Sequence, residues 1–159
     1  MGFQNKVNIE LPVGVEGDFS SVNPYFSTLT PTNGSFRVGD ESGINVGTYA
    51  WADMTTGLVT KTQGSLKIGG FVGRYNQAVV QYGQEASLNI PKGRGISLYK
   101  SGSFWARFPN GATAGQTVVA DPATGILSAV DAVASGSVDT GYTVATNAGT
   151  NELAKIQGK

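Results

Sequence analysis

The sequence contains no cysteine and no histidine, and these two absences exclude most familiar enzyme chemistry. Without cysteine the chain can form neither a disulfide framework nor a thiolate metal site. Without either residue, the Ser-His and Cys-His pairs of nucleophilic enzymes and the usual zinc sites cannot be built. A carboxylate pair or a serine-lysine arrangement is the remaining catalytic possibility. The candidate acids for such a site are Asp40, Glu41, Asp53, Glu85 and Asp121. Most of them lie in predicted turns, where a solvated carboxylate that caps the turn is the usual finding, so we expect no enzyme.

Charge is also scarce. Charged residues make up 14% of the chain, against about a quarter in a typical soluble domain. Eleven basic residues balance eleven acidic ones, which excludes strong attraction to nucleic acid or to an anionic membrane. A net charge of zero also gives little protection against self-association. We therefore expect a homo-oligomer, either a dimer or a trimer, with neither a nucleic acid nor a membrane as partner.

Long apolar runs are missing as well, since glycine or charge interrupts each stretch far short of the ~20 residues of a spanning helix. The first six residues show no basic segment followed by an apolar one, so we expect no secretory signal peptide and synthesis in a cytoplasm. No Gly-Lys-Ser/Thr loop occurs, and Gly93-Arg94-Gly95 lacks the third glycine of a dinucleotide motif. We therefore expect no cofactor and no metal ion.

Glycine and proline are abundant, at 23 and 6 of 159 residues, and they leave few windows for an uninterrupted helix. Residues 1–36 contain three of the prolines and only brief apolar alternation, which indicates an extended N-terminal arm. Such an arm either wraps its own domain or reaches a neighbour. Residues 37–159 are long enough for a single domain with one core.

Short β-rich runs separated by turn residues follow one another through this domain, at the spacing typical of a sandwich or barrel. The sequence therefore predicts an all-β fold, either a β-sandwich or a jelly-roll-like barrel. The predicted strands are Ile44–Ala52, Leu58–Thr62, Leu66–Val72, Ala78–Tyr82, Ala86–Ile90, Ile96–Lys100, Phe104–Phe108, Gln116–Ala120, Ile126–Val130, Tyr142–Ala145 and Glu152–Gln157.

One segment allows another interpretation. Ile126–Ser135 also shows helical spacing, although the turn Asp121–Gly125 before it favours a hairpin. Ser101-Gly102-Ser103 is predicted as a turn between two strands, and Ser135–Gly141 as a loop. We recognise no internal repeat in the sequence.

Aromatic residues are concentrated on the predicted strands. Because neighbouring residues of a strand face opposite sides, Phe104 and Trp105 cannot both point into one core. One of them is expected in the core, and the other on a face that is exposed or covered by a partner. Nearby, Lys92, Arg94, Lys100 and Arg107 are predicted to form a basic group, which is either a solvated rim or a set of ion-pair donors toward an acidic partner.

Several stretches together resemble the structural cement proteins of tailed bacteriophages. The resemblance covers nearly the whole chain, and Tyr25 is a departure where the family pattern has Arg. The stretches that carry it are Phe3-Gln4, Val7-Asn8, Val15 to Ser21, Asn23-Pro24, Gly47 to Asp53, Gly70 to Arg74, Ile90 to Gly93, Gly102 to Arg107, Gly115 to Ala120, Thr124-Gly125, Gly141 to Val144 and Leu153 to Ile156.

This resemblance implies a protein on the outside of a phage capsid, made in the host bacterial cytoplasm, that ties neighbouring major capsid protein subunits together. It implies no catalytic residues. The residues expected to bind the partner are Phe3, Phe19, Lys92, Arg94, Tyr99, Trp105 and Arg107. Two alternatives remain open: a carbohydrate-binding β-sandwich that stacks sugars on exposed Trp and Tyr rings, and a carboxylate-based glycosidase.

Overall fold

A computed structural model describes residues 13–22, 24–74 and 88–158, and every structural statement below concerns these ranges. The elements found there are all strands, which confirms the all-β prediction. The described ranges include no helix long and apolar enough to cross a membrane. The strands are β1 Ser27–Thr28, β2 Arg37–Val38, β3 Ile44–Asn45, β4 Tyr49–Ala52, β5 Leu58–Thr60, β6 Ile68–Val72, β7 Asn89–Ile90, β8 Leu98–Phe108, β9 Thr117–Ala120, β10 Leu127–Val130, β11 Val138–Val144 and β12 Glu152–Gly158.

One long strand connects the two halves of a sandwich-like sheet. The order is β10-β9-β11-β12-β8-β6-β4-β5-β2, with β1 also paired to β8, while β3 and β7 form a separate small sheet. The C-terminal part of β8 pairs with β12, and its N-terminal part pairs with β6 and β1. Gly102, with a φ of 135°, lies between these parts. The predicted turn at residues 101–103 is therefore wrong, because the glycine lets one strand continue from one half to the other.

The interior consists of two apolar clusters. The larger contains Trp51, Phe71, Phe104, Phe108 and Tyr142, all with at most 1% of their surface exposed. The smaller lies around β2, β4 and β5 and includes buried valine, isoleucine and leucine side chains. Every buried side-chain nitrogen or oxygen among the described residues has a hydrogen-bond partner. The neutral, charge-poor sequence thus folds around an apolar interior whose polar groups are satisfied.

The described part of the N-terminal arm lies against its own domain. The amide of Gly17 donates to the carbonyl of Trp105 at 2.8 Å, and the amide of Trp105 donates to Asp18 at 2.9 Å. Phe104 is bridged to Phe19 and also paired with Ile156 of β12. Because a strand residue has one neighbour on each side, this arm segment must occupy the edge of β8 opposite β12.

The structure reveals an internal repeat that sequence reading misses. Gly34-Ser35-Phe36 recurs 68 residues later as Gly102-Ser103-Phe104, and nine of the 27 residues in 34–60 are identical at the same offset in 102–128. We call residues 34–72 repeat 1 and residues 102–142 repeat 2. Strands β2, β4, β5 and β6 of repeat 1 correspond to the C-terminal part of β8 and to β9, β10 and β11 of repeat 2.

Strand register establishes this correspondence independently of residue identity. Ala52 of β4 lies opposite Val59 of β5 and Ile68 of β6. At the equivalent position of β9, Ala120 lies opposite Leu127 and Val138. The offset is 68 residues for the first partner and 70 for the second, so repeat 2 carries two extra residues between its last two strands. In both repeats the first hairpin strand lies between the other two.

The structure also tests several other secondary-structure predictions. Ile126–Val130 is confirmed as the strand of a hairpin, without a helix among the described residues there. The predicted strand Ile44–Ala52 is interrupted around Gly47, whose φ is 82°. The predicted loop 135–141 is partly wrong, because β11 begins at Val138. Residues Ala78–Tyr82 lie outside the described ranges, as do the first two residues of Ala86–Ile90.

Candidate interaction surface

Two of the residues predicted to bind a partner are buried within this chain. Tyr99 is 4% exposed and Trp105 is 7% exposed. Phe104 faces the large core, so Trp105 faces the other side of β8. There the backbone of Gly14 lies over the indole, and a Cβ on Gly14 would come within 2.5 Å of Trp105 Nε1. The Nζ of Lys155 lies 5.2 Å from the ring centroid. The second face of β8 is therefore covered by the chain's own arm.

Phe19, a third predicted contact residue, is half-buried in a cluster of aromatic rings. Its ring centroid lies 4.9 Å from that of Phe104, 5.6 Å from Tyr99 and 5.1 Å from Phe26. Phe26 in turn lies 5.7 Å from Tyr99 with an edge-on geometry. Such edge-on and tilted contacts are favourable for aromatic pairs. The cluster fixes the arm to β8 and leaves one edge of the Phe26 ring in solvent.

The arm also exposes large apolar side chains, a feature that sequence reading did not identify. Val22 is 82% exposed, Tyr25 is 77% exposed and Phe26 is 48% exposed. We call these three residues the arm patch. The signal available in the sequence was the pair Tyr25-Phe26 directly after Pro24, in a segment without the alternation of a core strand. Large apolar side chains grouped on a surface mark interaction sites more often than single ones do.

The four basic residues do not form one group. Lys92 pairs with Glu41. Arg107 donates from Nε to Glu16 at 3.0 Å and from a terminal nitrogen to the carbonyl of Asn151 at 2.6 Å. Since Lys100 and Arg107 are seven residues apart on β8, roughly 20 Å of strand separates them. The prediction of a local basic group is wrong, because the continuous strand β8 keeps Lys100 and Arg107 apart. Arg94 is exposed in the turn before β8.

Two of the candidate catalytic acids, Asp53 and Asp121, serve as turn caps. Asp53 accepts hydrogen bonds from the Thr55 amide at 2.9 Å and the Thr56 hydroxyl at 2.8 Å, and Asp121 makes the same two contacts in its own turn, at 3.0 and 2.7 Å. At Asp53 these bonds, the amide of Thr55 first, hold the carboxyl pKa below its usual value. The hydroxyl of Thr124 is the main cause of the lowered pKa of Asp121. A general acid needs the opposite shift, so neither carboxyl is suited to that role.

The described ranges give little support for a metal site or for a sugar-binding site. No cluster of three or more acidic side chains that could hold a metal ion occurs there. Trp51 and Trp105 are both buried, so neither indole offers a platform for a sugar ring. Phe3 lies outside the described residues, as does Glu85. What the geometry does provide is a rigid β scaffold with an exposed apolar surface on its arm.

Comparisons with known proteins identify a family for this chain. A family model described as XM1 gp53 minor capsid protein matches residues 3–158. No curated protein matches. Four chains of solved structures match. One belongs to the structure "The capsid of Myoviridae Phage XM1", with a TM-score of 0.55 and 15% sequence identity over 99% of this chain and 97% of that chain. At that identity the structural likeness shows a shared fold.

Proposed function

Because the chain belongs to the XM1 gp53 minor capsid protein family, we propose that it is a structural cement protein of a phage capsid. It binds the outside of the shell and stabilises the contacts between neighbouring major capsid protein subunits. It acts without catalysis, as a homo-oligomer, on particles assembled in the host bacterial cytoplasm. The family match supports the capsid role, and the arm patch is the observation that supports attachment through a defined surface.

The arm patch has the properties of a protein-binding site. Tyrosine and phenylalanine bury a large area at a small cost in side-chain entropy, and they are enriched among residues that dominate interface energies. Within the patch, the ring of Phe26 packs against Phe19 and Tyr99, so this side chain is already held in place before binding. A preorganised surface loses less conformational entropy on association. Phe19 and Tyr99 therefore contribute by supporting the patch, and Trp105 by fixing the arm segment beside it.

Exposed cations supplement this apolar contact. Arg94 lies in the turn before β8, and Lys92 and Arg107 are already paired with carboxylates of this chain. Ion pairs at the rim of an interface change the association rate and its salt dependence more than the affinity. We therefore assign the main binding energy to the arm patch and a steering role to Arg94.

The test is binding of purified protein to capsids that lack it. The variant Val22→Ser/Tyr25→Ser should bind at least tenfold more weakly, because truncating a desolvated interface anchor costs about 2 kcal/mol or more. Leu58→Ser is the matched control, since Leu58 is an exposed aliphatic residue (46%) outside the arm. Both variants should unfold at the wild-type temperature. Equal binding by the double variant and the wild type would contradict the proposed attachment surface.

A further inference from the structure

Asparagine followed directly by glycine occurs twice in the chain, at Asn33-Gly34 and at Asn110-Gly111. Asparagine is a thermolabile residue, because the backbone nitrogen of the next residue can attack its side-chain amide and close a cyclic succinimide. Glycine in the next position favours this attack, since it has no Cβ and its backbone is the least restricted. Both asparagines are exposed and lie outside the strands. Sequence and exposure alone therefore do not distinguish the two sites.

The backbone around Gly111 is held in place. Its amide donates to the carbonyl of Phe108 at 3.1 Å. The next residue, Ala112, exchanges two backbone hydrogen bonds with Ala148, both at 2.9 Å. A Cβ on Gly111 would come within 3.0 Å of the Ala148 carbonyl oxygen, so this backbone is also closely packed. Turning the Gly111 nitrogen toward the side chain of Asn110 would break at least the hydrogen bond to Phe108.

The backbone around Gly34 is open by comparison. Residues 32–35 are all exposed. Gly34 has a φ of 71°, and no heavy atom lies within 4 Å of the position that a Cβ would take. Within the described ranges, no hydrogen bond holds the amide of Gly34 or the side chain of Asn33. The nitrogen and the side-chain amide that must meet are therefore both free of the contacts that restrain Gly111.

The loop that contains Asn33 is fixed at its two ends. The amide of Thr32 donates to the Met54 carbonyl at 3.1 Å, and the amide of Arg37 donates to the Gly57 carbonyl at 2.9 Å. Between them, the amides of residues 33–36 donate no hydrogen bond to the described backbone. Conversion to isoaspartate adds one methylene to the main chain of this loop. Because the loop lies in solvent, both end bonds can be kept, and the product is compatible with the native fold.

From this contrast we propose that Asn33 deamidates spontaneously in the folded protein, whereas Asn110 is protected. The Gly34 nitrogen bonds to Cγ of Asn33, and the side-chain nitrogen leaves as ammonia with the amide proton of Gly34. Water then opens the succinimide at either carbonyl, which gives aspartate or isoaspartate without any change in oxidation state. Each event adds one carboxylate to a chain in which eleven basic residues balance eleven acidic ones. The inference goes beyond the proposed capsid role and does not depend on it.

The test is incubation of the full folded chain in mildly alkaline buffer, followed by brief pepsin digestion at acid pH and mass spectrometry of both peptides. The conversion at Asn33 should be at least about tenfold faster than at Asn110. A tenfold difference corresponds to about 1.4 kcal/mol, which is comparable to the net value of the hydrogen bond that Gly111 must break. In urea-unfolded chain the two sites should convert at similar rates, since both are Asn-Gly and the restraint on Gly111 is gone.

Two matched variants complete the test. Asn33→Gln should abolish most of the mass gain and of the labelling by isoaspartate methyltransferase in the intact folded protein, because glutamine closes the larger ring slowly. It should leave Tm unchanged, as exposed substitutions usually do. Asn110→Gln is the control and should leave the mass gain unchanged. Equal rates at the two sites in the folded chain would overturn the proposal. So would conversion of Asn33 only after unfolding, or the same selectivity in urea, which would assign the difference to local sequence.

Discussion

Replacing Trp105 with alanine tests whether the N-terminal arm is held by its own domain. The indole is 7% exposed, and both the backbone of Gly14 and the ammonium group of Lys155 lie close to it. Truncating a buried tryptophan costs about 3–5 kcal/mol in well-packed cores. Because a single arm segment covers this ring, we expect a value near the lower end, about 3 kcal/mol. For a chain of this length that loss lowers Tm by roughly 6–12 °C.

The measurement is thermal unfolding of the free protein, followed by amide hydrogen exchange. Exchange should accelerate at Gly17, whose amide bonds to the Trp105 carbonyl, because the arm loses the ring on which it rests. Trp105→Phe should recover much of the stability, and Tyr25→Ala is the exposed control that should leave Tm unchanged. An unchanged Tm in Trp105→Ala together with weaker capsid binding would refute this reasoning, since the indole would then be an interface anchor and not a support for the arm.

Two further predictions concern titration and the repeated turns. Burial raises the pKa of Tyr49 to about 12 and raises that of Tyr142 as well, whereas unfolded tyrosines ionise near 10. The contribution of these two tyrosines to stability should therefore be constant below about pH 10 and fall as the pH rises toward 12, by about 1.4 kcal/mol per pH unit for each tyrosine. Urea unfolding that shows no loss of stability between about pH 10 and pH 11 would contradict this. Gly57 and Gly125 share a φ of 71°, so replacing either with alanine should lower the free energy of unfolding by about 1–2 kcal/mol. Gly125→Ala should lower it further, because the new Cβ would overlap the Tyr49 carbonyl. Equal losses for the two variants in urea unfolding would show that this contact is not close.

Local chemistry made the β class and most strand positions predictable. The turn at Asp121–Gly125 combines an aspartate cap with a glycine in the left-handed region, and that combination selects a hairpin over the helical spacing of the residues that follow. The continuity of β8 was not predictable in the same way. Ser101-Gly102-Ser103 is typical of a turn, and only the packing of β12 and β6 along both parts of one strand shows that the glycine is a bend.

The candidate site was less predictable because exposure depends on distant parts of the chain. Trp105 has the residue type of an interface anchor, yet Gly14, far away in sequence, covers it. Tyr25 and Phe26 have the residue types of a core, yet they remain exposed because Phe19 already fills the position against Phe104. A pattern along a single segment reports which face a residue lies on. It does not report what covers that face.

The internal repeat escaped detection for a related reason, since turns and interiors constrain residues differently. Six of the nine identities between the repeats are Gly, Asp or Thr, residue types that a left-handed φ or a turn cap requires. Between them, Trp51 corresponds to Val119 and Tyr49 to Thr117, because each half packs against different neighbours. The same divergence is seen in strand pairing, because the segment that pairs with β5 in repeat 1 corresponds to the C-terminal part of β8 in repeat 2, which pairs with β12 and so joins the two halves of the sheet.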